Sequence, residues 1–334
     1  MKALFIGGTG TISSACVELA VARGIDVVLL NRGHGTRPTP ANVPALQGDI
    51  RDKAAISQLV KDLTFDVVVD FVAFTPEHIE TDLELFRGRT KQYVFISSAS
   101  AYQTPPLSWP TTESTPLRNP YWAYSRAKIA CEERLTTAYR EEGFPVTIVR
   151  PSHTYDAMSV PLEGKYTVLG RMRAGKKVVV HGDGTSLWTL THHRDFAKGF
   201  VPLLGNPHAL GEAIHITSDE VLTWNQIVDI LAGAMGVQAD IVHIPSEVIA
   251  AFDPEWGAGL LGDKAHSMVF DNTKIKRLVP EYVANIPFRQ GAAEIIAWYE
   301  SHPAAQKVDE RMDQLIDTMV AAYAAVAPGK RGAA

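Results

Sequence analysis

Lys2-Ala3-Leu4-Phe5-Ile6-Gly7-Gly8-Thr9-Gly10-Thr11-Ile12-Ser13 is the stretch of this sequence that decides its fold. An apolar, strand-like run leads directly into a glycine cluster, and an amphipathic helical pattern follows at once. This order directs backbone N–H groups and the positive end of a helix at one point, where a phosphate is the natural ligand. Gly7 and Gly10 would allow a close approach of the backbone to that ligand.

The spacing of this turn is Gly7-x-x-Gly10-x-x-Ser13, which departs from the dinucleotide fingerprint Gly-x-Gly-x-x-Gly. One interpretation is an ordinary glycine-rich turn. The position directly after an N-terminal strand favours the other interpretation, which is a nucleotide site.

The bulk properties of the chain are those of an ordinary globular protein: 334 residues, of which 46% are hydrophobic and 21% charged. A length of this size predicts two lobes, and the net charge of −5 argues against a nucleic-acid surface. Cys16 and Cys131 fall in helical patterns, which favours buried free thiols in a reducing compartment over a disulfide. No signal-like segment precedes the first strand, and no apolar run reaches the roughly 18 residues of a membrane span. We therefore expect a cytoplasmic protein without a membrane partner.

Apolar strands and amphipathic helices alternate through the first half of the chain. This alternation predicts an α/β fold, a Rossmann-type doubly wound parallel sheet over residues 1–150. Residues 151–330 are expected to form a smaller C-terminal α/β substrate lobe, with segments near 185–220 returning to the first domain. An amphipathic helix is predicted at 309–325, and 329–334 is expected to be a frayed tail.

The end of the second strand bears on the choice of cofactor. NAD sites usually carry an acidic residue there, but this chain has Asn31 followed by Arg32, with Arg37 nearby. Because a guanidinium can bind a 2′-phosphate, we expect a preference for NADP, with NAD as the alternative. The competing interpretation is that Arg32 simply lies in solvent. Asp49 and Ile50, after the third strand, would lie near the adenine.

Tyr124 and Lys128 are spaced i, i+4, which places the phenol and the ammonium on one helix face. A nearby lysine is expected to lower the tyrosine pKa from about 10 and so make the phenol a usable proton donor and acceptor. The phenol would exchange its proton with a substrate hydroxyl. Ser98, after a serine-rich strand end, could orient the oxygen of that hydroxyl. His153, His192 and His193 lack the spacing of a zinc site, and so no metal is predicted.

The sequence resembles the extended short-chain dehydrogenases/reductases, the group of NAD(P)-dependent epimerases and dehydratases. The motifs that carry the resemblance are the opening glycine turn, Gly48-Asp49-Ile50, Ser97-Ser98-Ala99-Ser100-Ala101-Tyr102, Tyr124 with Lys128, Arg150-Pro151-x-x-x-Tyr155, Gly182-Asp183-Gly184 and His215-Ile216-Thr217-Ser218. The resemblance implies that Ser98, Tyr124 and Lys128 are catalytic. The residues it implies for the cofactor are Gly7, Thr9, Gly10, Thr11, Ile12, Asn31, Arg32, Asp49, Ile50, Val72, Ala73, Tyr124, Lys128, Pro151 and His153. Those implied for the substrate are Ser98, Ser100, Tyr124, His153 and Trp188.

Three positions depart from the family pattern, and all three bear on the substrate. Trp188 stands where an arginine usually grips a substrate diphosphate, His153 replaces an asparagine, and His193-Arg194-Asp195 replaces Val-Asp-Asp. Arg194 or Arg171 could compensate for the missing arginine. Trp188 could stack on a sugar or aromatic ring, or it could pack between the lobes.

The expected function is redox chemistry at a hydroxyl-bearing carbon of a sugar, a nucleotide sugar or another secondary alcohol or carbonyl. The enzyme would be an epimerase, a dehydratase or a reductase, and the sequence leaves these three open. An atypical family member that binds RNA or regulates through bound cofactor, without redox turnover, is the alternative. A homodimer through the helices near 77–86 and 121–142 is also expected from the resemblance.

Overall fold

The structure, a computed structural model, describes residues 1–35 and 37–326. Its strands are β1 (Lys2–Ile6), β2 (Asp26–Asn31), β3 (Ala45–Gln47), β4 (Phe65–Asp70), β5 (Thr90–Ile96), β6 (Val146–Pro151), β7 (His153–Tyr155), β8 (Lys177–His181), β9 (Leu187–Trp188), β10 (Leu190–His192), β11 (Ala213–Ile216), β12 (Leu222–Thr223) and β13 (Asp240–Ile244). Its α-helices are α1 (Thr11–Ala22), α2 (Lys53–Leu59), α3 (Pro76–Phe86), α4 (Ala123–Glu142), α5 (Tyr166–Arg173), α6 (His193–Phe200), α7 (Trp224–Ala234), α8 (Ser246–Phe252), α9 (Pro254–Gly259), α10 (Thr273–Leu278), α11 (Phe288–Ser301) and α12 (Glu310–Val326).

Seven parallel strands form the central sheet, in the order β11-β6-β5-β4-β1-β2-β3. β1 pairs with β2 on one side and with β4 on the other, so that Ala3 lies opposite both Val27 and Val67. The chain therefore moves outward from β1 to β3 and returns beside β1 at β4. This reversal opens a crevice at the carboxyl ends of β1 and β4, where doubly wound sheets bind ligands. The predicted Rossmann-type fold is confirmed.

Both faces of the sheet are covered, which explains the nearly continuous apolar strands. On one face α1 and α6 pack against the sheet, and Phe5, Phe196 and Phe200 lie in that core. On the other face, the core includes Leu83 from α3 and Leu135 from α4. The sequence pattern indicates this burial because neither face of a parallel strand is left to solvent.

A second hydrophobic core lies in the later part of the chain, where β8 pairs with β13 and where α5, α7, α11 and α12 contribute buried residues. β11, by contrast, is the edge strand of the central sheet. α12 begins and ends one residue later than predicted, and residues 329–334 lie outside the described residues. The helices α8 to α11 and the two-residue strands were not predicted. The strands and α8 to α10 are too short to carry a periodic pattern, whereas α11 has 14 residues and was missed although its pattern is long enough.

The structure describes no helix with the length and apolar character needed to cross a membrane.

Candidate active site

The glycine turn between β1 and α1 is built for close approach. Gly7 has φ +85°, and a Cβ on it would lie 2.5 Å from Cγ1 of Val72. Ser13 takes the place of the usual last glycine, and its hydroxyl donates to the Gly7 carbonyl (2.7 Å) and accepts from the Gly10 N–H (2.8 Å). The hydroxyl thus ties the turn to the first turn of α1. The departure from the fingerprint therefore has a local structural cause.

A groove of about 420 Å³ lies beside this turn, at the carboxyl ends of β1, β2 and β3. Of the residues predicted for the cofactor, those that line it are Gly7, Thr9, Gly10, Asn31, Arg32, Asp49, Ile50 and Val72. Thr11 and Ile12 lie in the first turn of α1, and Ala73 lies behind Val72. The groove therefore has a glycine-lined wall that a Cβ would fill, next to a helix N-terminus, as a dinucleotide phosphate requires.

The two arginines after β2 have different surroundings. Arg32 is exposed at the edge of the groove, whereas Arg37 forms an ion pair with Asp156 and donates to the Ser159 hydroxyl (2.8 Å). Asn31 accepts a hydrogen bond from the Gly33 N–H through Oδ1 (2.9 Å). The end of β2 thus presents an amide and a guanidinium to the groove in place of a carboxylate.

Two residues of this region carry contacts that the sequence did not predict. Asp70, the last residue of β4, accepts from the N–H groups of Val72 (2.5 Å) and Ala73 (2.9 Å) and so shapes the wall of the groove. Arg51 lines the groove and donates to the Val72 carbonyl, while its buried Nη1 has no hydrogen-bond partner among the described residues. Its position directly after Gly48-Asp49-Ile50 was the signal available in the sequence.

Ser98 and Tyr124 line a second cavity of about 230 Å³, here called the Tyr124 cavity. The hydroxyls of Ser98 and Ser100 lie 2.9 Å apart, and Ser125 donates to Ser100 (2.8 Å), so that the serines after β5 are linked to α4. Burial raises the pKa of Tyr124, and a hydrogen bond with Ser98 acts in the opposite direction. The structure therefore brings Ser98 and Tyr124 together, as predicted.

Lys128 lies beneath the cavity and is almost fully buried. Its ammonium donates to the carbonyls of Ala73 (2.6 Å) and Ile96 (2.8 Å) and lies 5.8 Å from the centre of the Tyr124 ring. Burial lowers the pKa of Lys128 to about 8. The predicted net fall of the tyrosine pKa is wrong in this structure: the pKa is raised, because the cost of burying the phenolate dominates at Tyr124.

The remaining wall of the Tyr124 cavity is largely aromatic. Trp188 is only 3% exposed; it packs on Trp224 with ring centres 5.3 Å apart and donates from Nε1 to Nδ1 of His153 (3.0 Å). Burial lowers the pKa of His153 to about 3, so the ring is neutral and Nε2 carries the proton. Trp188 therefore packs in the core and also lines the cavity, and its stacking on a substrate ring stays a prediction.

Asp263 also lines the Tyr124 cavity, although no motif of the sequence pointed to it. It lies in a π-helical turn, Leu260–Lys264, that continues α9. Burial raises the pKa of Asp263 to about 6, and the neighbouring Lys264 lowers it. Only the tertiary fold brings this carboxyl group to the cavity, from about 140 residues further along the chain than Tyr124.

A larger cavity of about 460 Å³ adjoins the Tyr124 cavity and shares Trp122 and His153 with it. Its wall carries basic and acidic side chains: Lys165, Lys264, Arg311, Glu163, Asp253 and Glu255. Arg171 is instead buried and bound to Asp313 and Asp317 of α12, and Arg194 is paired with Glu294. Arg171 and Arg194 were considered as substitutes for the diphosphate-binding arginine that Trp188 replaces. Neither of them lines this cavity.

The histidines are used in separate contacts. His192 lies 3.2 Å from a carboxylate oxygen of Glu294, and Nδ1 of His193 lies 3.2 Å from the Thr11 carbonyl. Within residues 1–35 and 37–326, no group of three or more His, Cys, Asp or Glu could hold a metal ion.

Comparisons with known proteins place this site in a family. The model of the NAD dependent epimerase/dehydratase family matches residues 3–217. The chain is 27% identical over 286 residues to a 2'-dehydrokanamycin reductase of Streptomyces kanamyceticus, a match that covers 84% of this chain and 80% of that protein. It is also 27% identical over 259 residues to the chloroplast stem-loop binding protein of 41 kDa b of Arabidopsis thaliana, covering 72% and 65% of the two chains.

The fold has solved counterparts. The structure of a UDP-glucose 4-epimerase from Bifidobacterium longum in complex with NAD+ and UDP matches with a TM-score of 0.74 at 19% identity, over 91% of this chain and 100% of that chain. The family model spans the glycine turn, the residues of the Tyr124 cavity before position 217 and the whole central sheet. The chain therefore belongs to the NAD-dependent epimerase/dehydratase family.

Proposed function

We propose that the protein is an NAD(P)-dependent enzyme that acts at a hydroxyl-bearing carbon of a sugar or sugar-like substrate, with Tyr124 as general acid and base. The observation that carries this proposal is the position of Tyr124. Its ring lies in the wall of a cavity large enough for one sugar ring, with Ser98 in the same wall and the Lys128 ammonium beneath. Phe74 of the cofactor groove lies 6.4 Å from it, between ring centres.

The residues of the groove fit a dinucleotide. The glycine wall at Gly7 and Gly10 would hold the phosphates, Asp49 and Ile50 would lie at the adenine, and the Lys128 ammonium would reach a ribose. When bound, the nicotinamide accepts or supplies the hydride. The buried, unpartnered Nη1 of Arg51 is a further donor that a polar group of the cofactor would satisfy.

Proton transfer is assigned to this chain's own side chains. The Tyr124 phenol donates its proton to the substrate carbonyl oxygen during reduction, and the phenolate takes a proton from the substrate hydroxyl during oxidation, while Ser98 orients the same substrate oxygen. Because burial raises the pKa of Tyr124, the phenol is protonated at neutral pH before the reaction. The buried positive charge of Lys128 favours the phenolate that forms when the phenol donates its proton during reduction.

The substrate is proposed to place its reacting ring in the Tyr124 cavity, against Ser100, His153 and Trp188, and the rest of the molecule in the adjoining cavity. Trp188 occupies the place of the usual diphosphate-binding arginine, which favours a substrate other than a nucleotide sugar. The name of the relative from Streptomyces kanamyceticus, a reductase of 2'-dehydrokanamycin, also supports a substrate other than a nucleotide sugar. Epimerisation, dehydration and reduction are all compatible with these residues.

The decisive variant is Tyr124→Phe, which removes one hydroxyl and keeps the ring. Turnover of any substrate found by screening sugars and amino sugars should fall by about 10²–10⁴-fold, the usual contribution of a general acid or base. Tyr139→Phe, at an exposed tyrosine of the same helix, should leave turnover unchanged. Full activity of Tyr124→Phe would refute the proposed mechanism.

We also propose a preference for NADP over NAD, which rests on Arg32 at the edge of the groove and on the absence of a carboxylate at position 31. Arg32→Ala should weaken NADP binding by about tenfold, because a charge-assisted contact to the 2′-phosphate is lost, and should leave NAD binding unchanged. Arg140→Ala, at an exposed arginine of α4, is the control. An unchanged ratio of NADP to NAD affinity in Arg32→Ala would overturn this preference.

One comparison favours a second candidate function, because the relative from Arabidopsis thaliana is named a stem-loop binding protein. In this alternative the chain binds RNA, or acts as a cofactor-dependent regulator, without turnover. The net charge of −5 argues against it, since RNA binding depends on a basic surface. Binding of an RNA hairpin that weakens steeply with salt, in a protein without turnover, would favour this alternative.

Two further features belong to the proposal. A homodimer through the outer faces of α3 and α4 is supported by the adjacency of these helices, which the ion pair of Arg134 in α4 with Glu80 in α3 joins. Leu135 and Ala138 are buried against the sheet, so the interface would use other positions.

A cytoplasmic location is supported by the free, buried thiols of Cys16 and Cys131. Light scattering tests the dimer, and cell fractionation tests the location.

A further inference from the structure

Asp263 is the only carboxylate among the described residues that line the Tyr124 cavity. Its side chain is 15% exposed, so most of its hydration is lost. The other polar groups of the wall are neutral: the hydroxyls of Ser98, Ser100 and Tyr124 and the uncharged imidazole of His153. A single negative charge in such a wall favours ligands that present a hydrogen-bond donor or a positive charge at this place.

The carboxylate of Asp263 has a distant ion pair but no hydrogen-bond donor among the described residues. Among residues 1–35 and 37–326 no side chain or backbone group donates a hydrogen bond to it. The nearest cation is the Lys264 ammonium at 3.9 Å, beyond hydrogen-bond distance, and that ammonium lies 5.0 Å from the centre of the Trp122 ring. The carboxylate is 15% exposed and lines the cavity, so its oxygens are accessible to a hydrogen-bond donor of a molecule bound there.

The backbone around Asp263 is held firmly although its side chain is not. The carbonyl of the next residue, Lys264, accepts hydrogen bonds from Trp224 Nε1 (3.1 Å) and His181 Nε2 (2.9 Å). The carbonyl of the preceding residue, Gly262, accepts from Asn119 Nδ2 (2.6 Å). Both neighbours of Asp263 are therefore fixed by side chains from other elements, and the carboxylate projects from a rigid turn.

Asn119 also connects this turn with the catalytic segment. The same Nδ2 donates to the Ser100 carbonyl (3.0 Å), and Oδ1 accepts from the Trp122 N–H (3.0 Å). Gly262 permits this close packing, because a Cβ there would lie 2.7 Å from the Cβ of Trp122. The position of Asp263 is thus coupled to the serines and to the helix that carries Tyr124. Such coupling is what a functional group needs in order to meet a substrate at a fixed distance.

We propose that Asp263 anchors the substrate: its carboxylate accepts a hydrogen bond from a hydroxyl or ammonium group that lies near the reacting carbon. This inference rests on the proposed function, because it assumes that the substrate occupies the Tyr124 cavity. It makes Asp263 a specificity-determining residue, which selects substrates with a hydrogen-bond donor at this place and rejects those with an anionic group.

Both kinds of donor suit the surroundings. The aromatic faces of Trp122 and Trp188 can cover the apolar face of a sugar ring or attract an ammonium group. Lys264 balances the charge of Asp263, so a neutral hydroxyl is accepted as well. A carboxylate on the substrate would face Asp263 at close range, and like charges in a buried site repel strongly.

The test measures binding and does not depend on turnover. Glucose, glucosamine and glucuronate serve as probes with a hydroxyl, an ammonium and a carboxylate group, and ligand-detected NMR titration of the full chain gives their affinities. Asp263→Asn keeps the side-chain volume and removes the charge, and Asp263→Ala removes the acceptor altogether. Asp62→Asn, at an exposed carboxylate in the turn before β4, is the matched control.

Wild type and Asp62→Asn should bind glucosamine or glucose more tightly than glucuronate. Both Asp263 variants should lose affinity for the preferred probe by about tenfold, the loss of a hydrogen bond to a charged group, while their affinity for glucuronate rises. Preferential binding of glucosamine identifies an ammonium as the donor, and equal binding of glucose identifies a hydroxyl. Equal affinities in wild type and Asp263→Asn, a preference of wild type for glucuronate, or no binding of any probe would overturn the proposal.

A failure of the Asp263 proposal can be distinguished from a failure of the proposed function. Tyr124→Phe should bind the same probes as wild type, because the anchoring carboxylate remains. If Tyr124→Phe retains turnover while Asp263→Asn loses probe binding, the acid–base mechanism fails and the anchor stands. If Tyr124→Phe loses turnover and Asp263→Asn binds like wild type, the mechanism stands and the anchor fails.

Discussion

Replacing Asp263 by asparagine should make the protein more stable at neutral pH, although the residue lies in the site. Burial raises the pKa of this carboxyl group from 3.8 to about 6, and the attraction of Lys264, which lowers the pKa, is already included in that value. A pKa difference of this size corresponds to about 3 kcal/mol of folding free energy lost by keeping the group ionised. Asparagine has nearly the same shape and carries no charge, so the variant avoids that loss.

The sign of the pH dependence follows from proton binding. Between pH 3.8 and about 6 the folded protein holds the Asp263 proton more tightly than the unfolded chain does, so stability falls as the pH rises through this window. Above pH 7 both states are ionised, and the full cost of about 3 kcal/mol remains. Below pH 3.8 both are protonated and the cost disappears. The advantage of Asp263→Asn should therefore be largest at pH 7–8, fall to about 0.5 kcal/mol near pH 4 and vanish below about pH 3.

Urea unfolding of wild type, Asp263→Asn and Asp62→Asn at pH 8, 6 and 4.5 measures this effect, because the other titrating groups are common to the three proteins. The free energy of unfolding of Asp263→Asn should exceed that of wild type by about 3 kcal/mol at pH 8 and by less than about 1 kcal/mol at pH 4.5. Asp62→Asn, at an exposed position, should stay within about 0.5 kcal/mol of wild type.

A destabilised Asp263→Asn at pH 8, or a gain that does not change with pH, would show that the carboxylate has partners in the folded protein and that its burial is not costly. A stabilised variant that also loses probe binding would be the signature of a residue kept for function, since a group kept for packing destabilises when it is replaced.

Three other perturbations test the packing around the site. Gly8→Ala should lower the free energy of unfolding by about 1–3 kcal/mol in urea, because the new Cβ would lie 2.5 Å from Cδ2 of the buried Leu29; an unchanged midpoint would contradict this packing. Arg171→Ala should cost about 2 kcal/mol, measured in the same way, because a guanidinium that is 1% exposed is lost and Asp313 and Asp317 keep, among the described residues, only Lys176 as a cationic partner; a loss below about 1 kcal/mol would mean that α12 is held mainly by apolar contacts. Trp188→Phe should cost about 1 kcal/mol, because His153 loses the N–H donor at its Nδ1 while most of the ring packing remains; a thermal melt equal to that of wild type would show that water replaces this bond.

The fold could be predicted from the sequence to a large extent because its elements are long and local. The apolar runs that became β1, β2, β4, β5 and β6 need burial on both faces, and parallel strands provide it. The short elements of the second lobe could not be predicted in the same way. A two-residue strand such as β9 (Leu187–Trp188) or a helix such as α9 exists only because neighbours pack against it.

The site was predicted in part, and the parts differ by how far apart the residues lie in the chain. Gly7 and Gly10 belong to one turn, and Tyr124 and Lys128 to one helix, so their spacing alone places them together. The direction in which the tyrosine pKa shifts was predicted wrongly. The sequence contains the spacing of the two groups but not their burial, and burial determines the pKa of Tyr124.

By itself, the sequence determined the parallel sheet, the glycine turn at the end of β1 and the pairing of a phenol with an ammonium, because each depends on contacts within a few residues. The tertiary structure alone decided that Arg171 holds α12, that Arg37 is bound to Asp156, and that the carboxylate of Asp263 enters the Tyr124 cavity. These contacts join segments about 120 to 150 residues apart, and the energy of a buried charge depends on the dielectric and the partners that only the folded chain supplies.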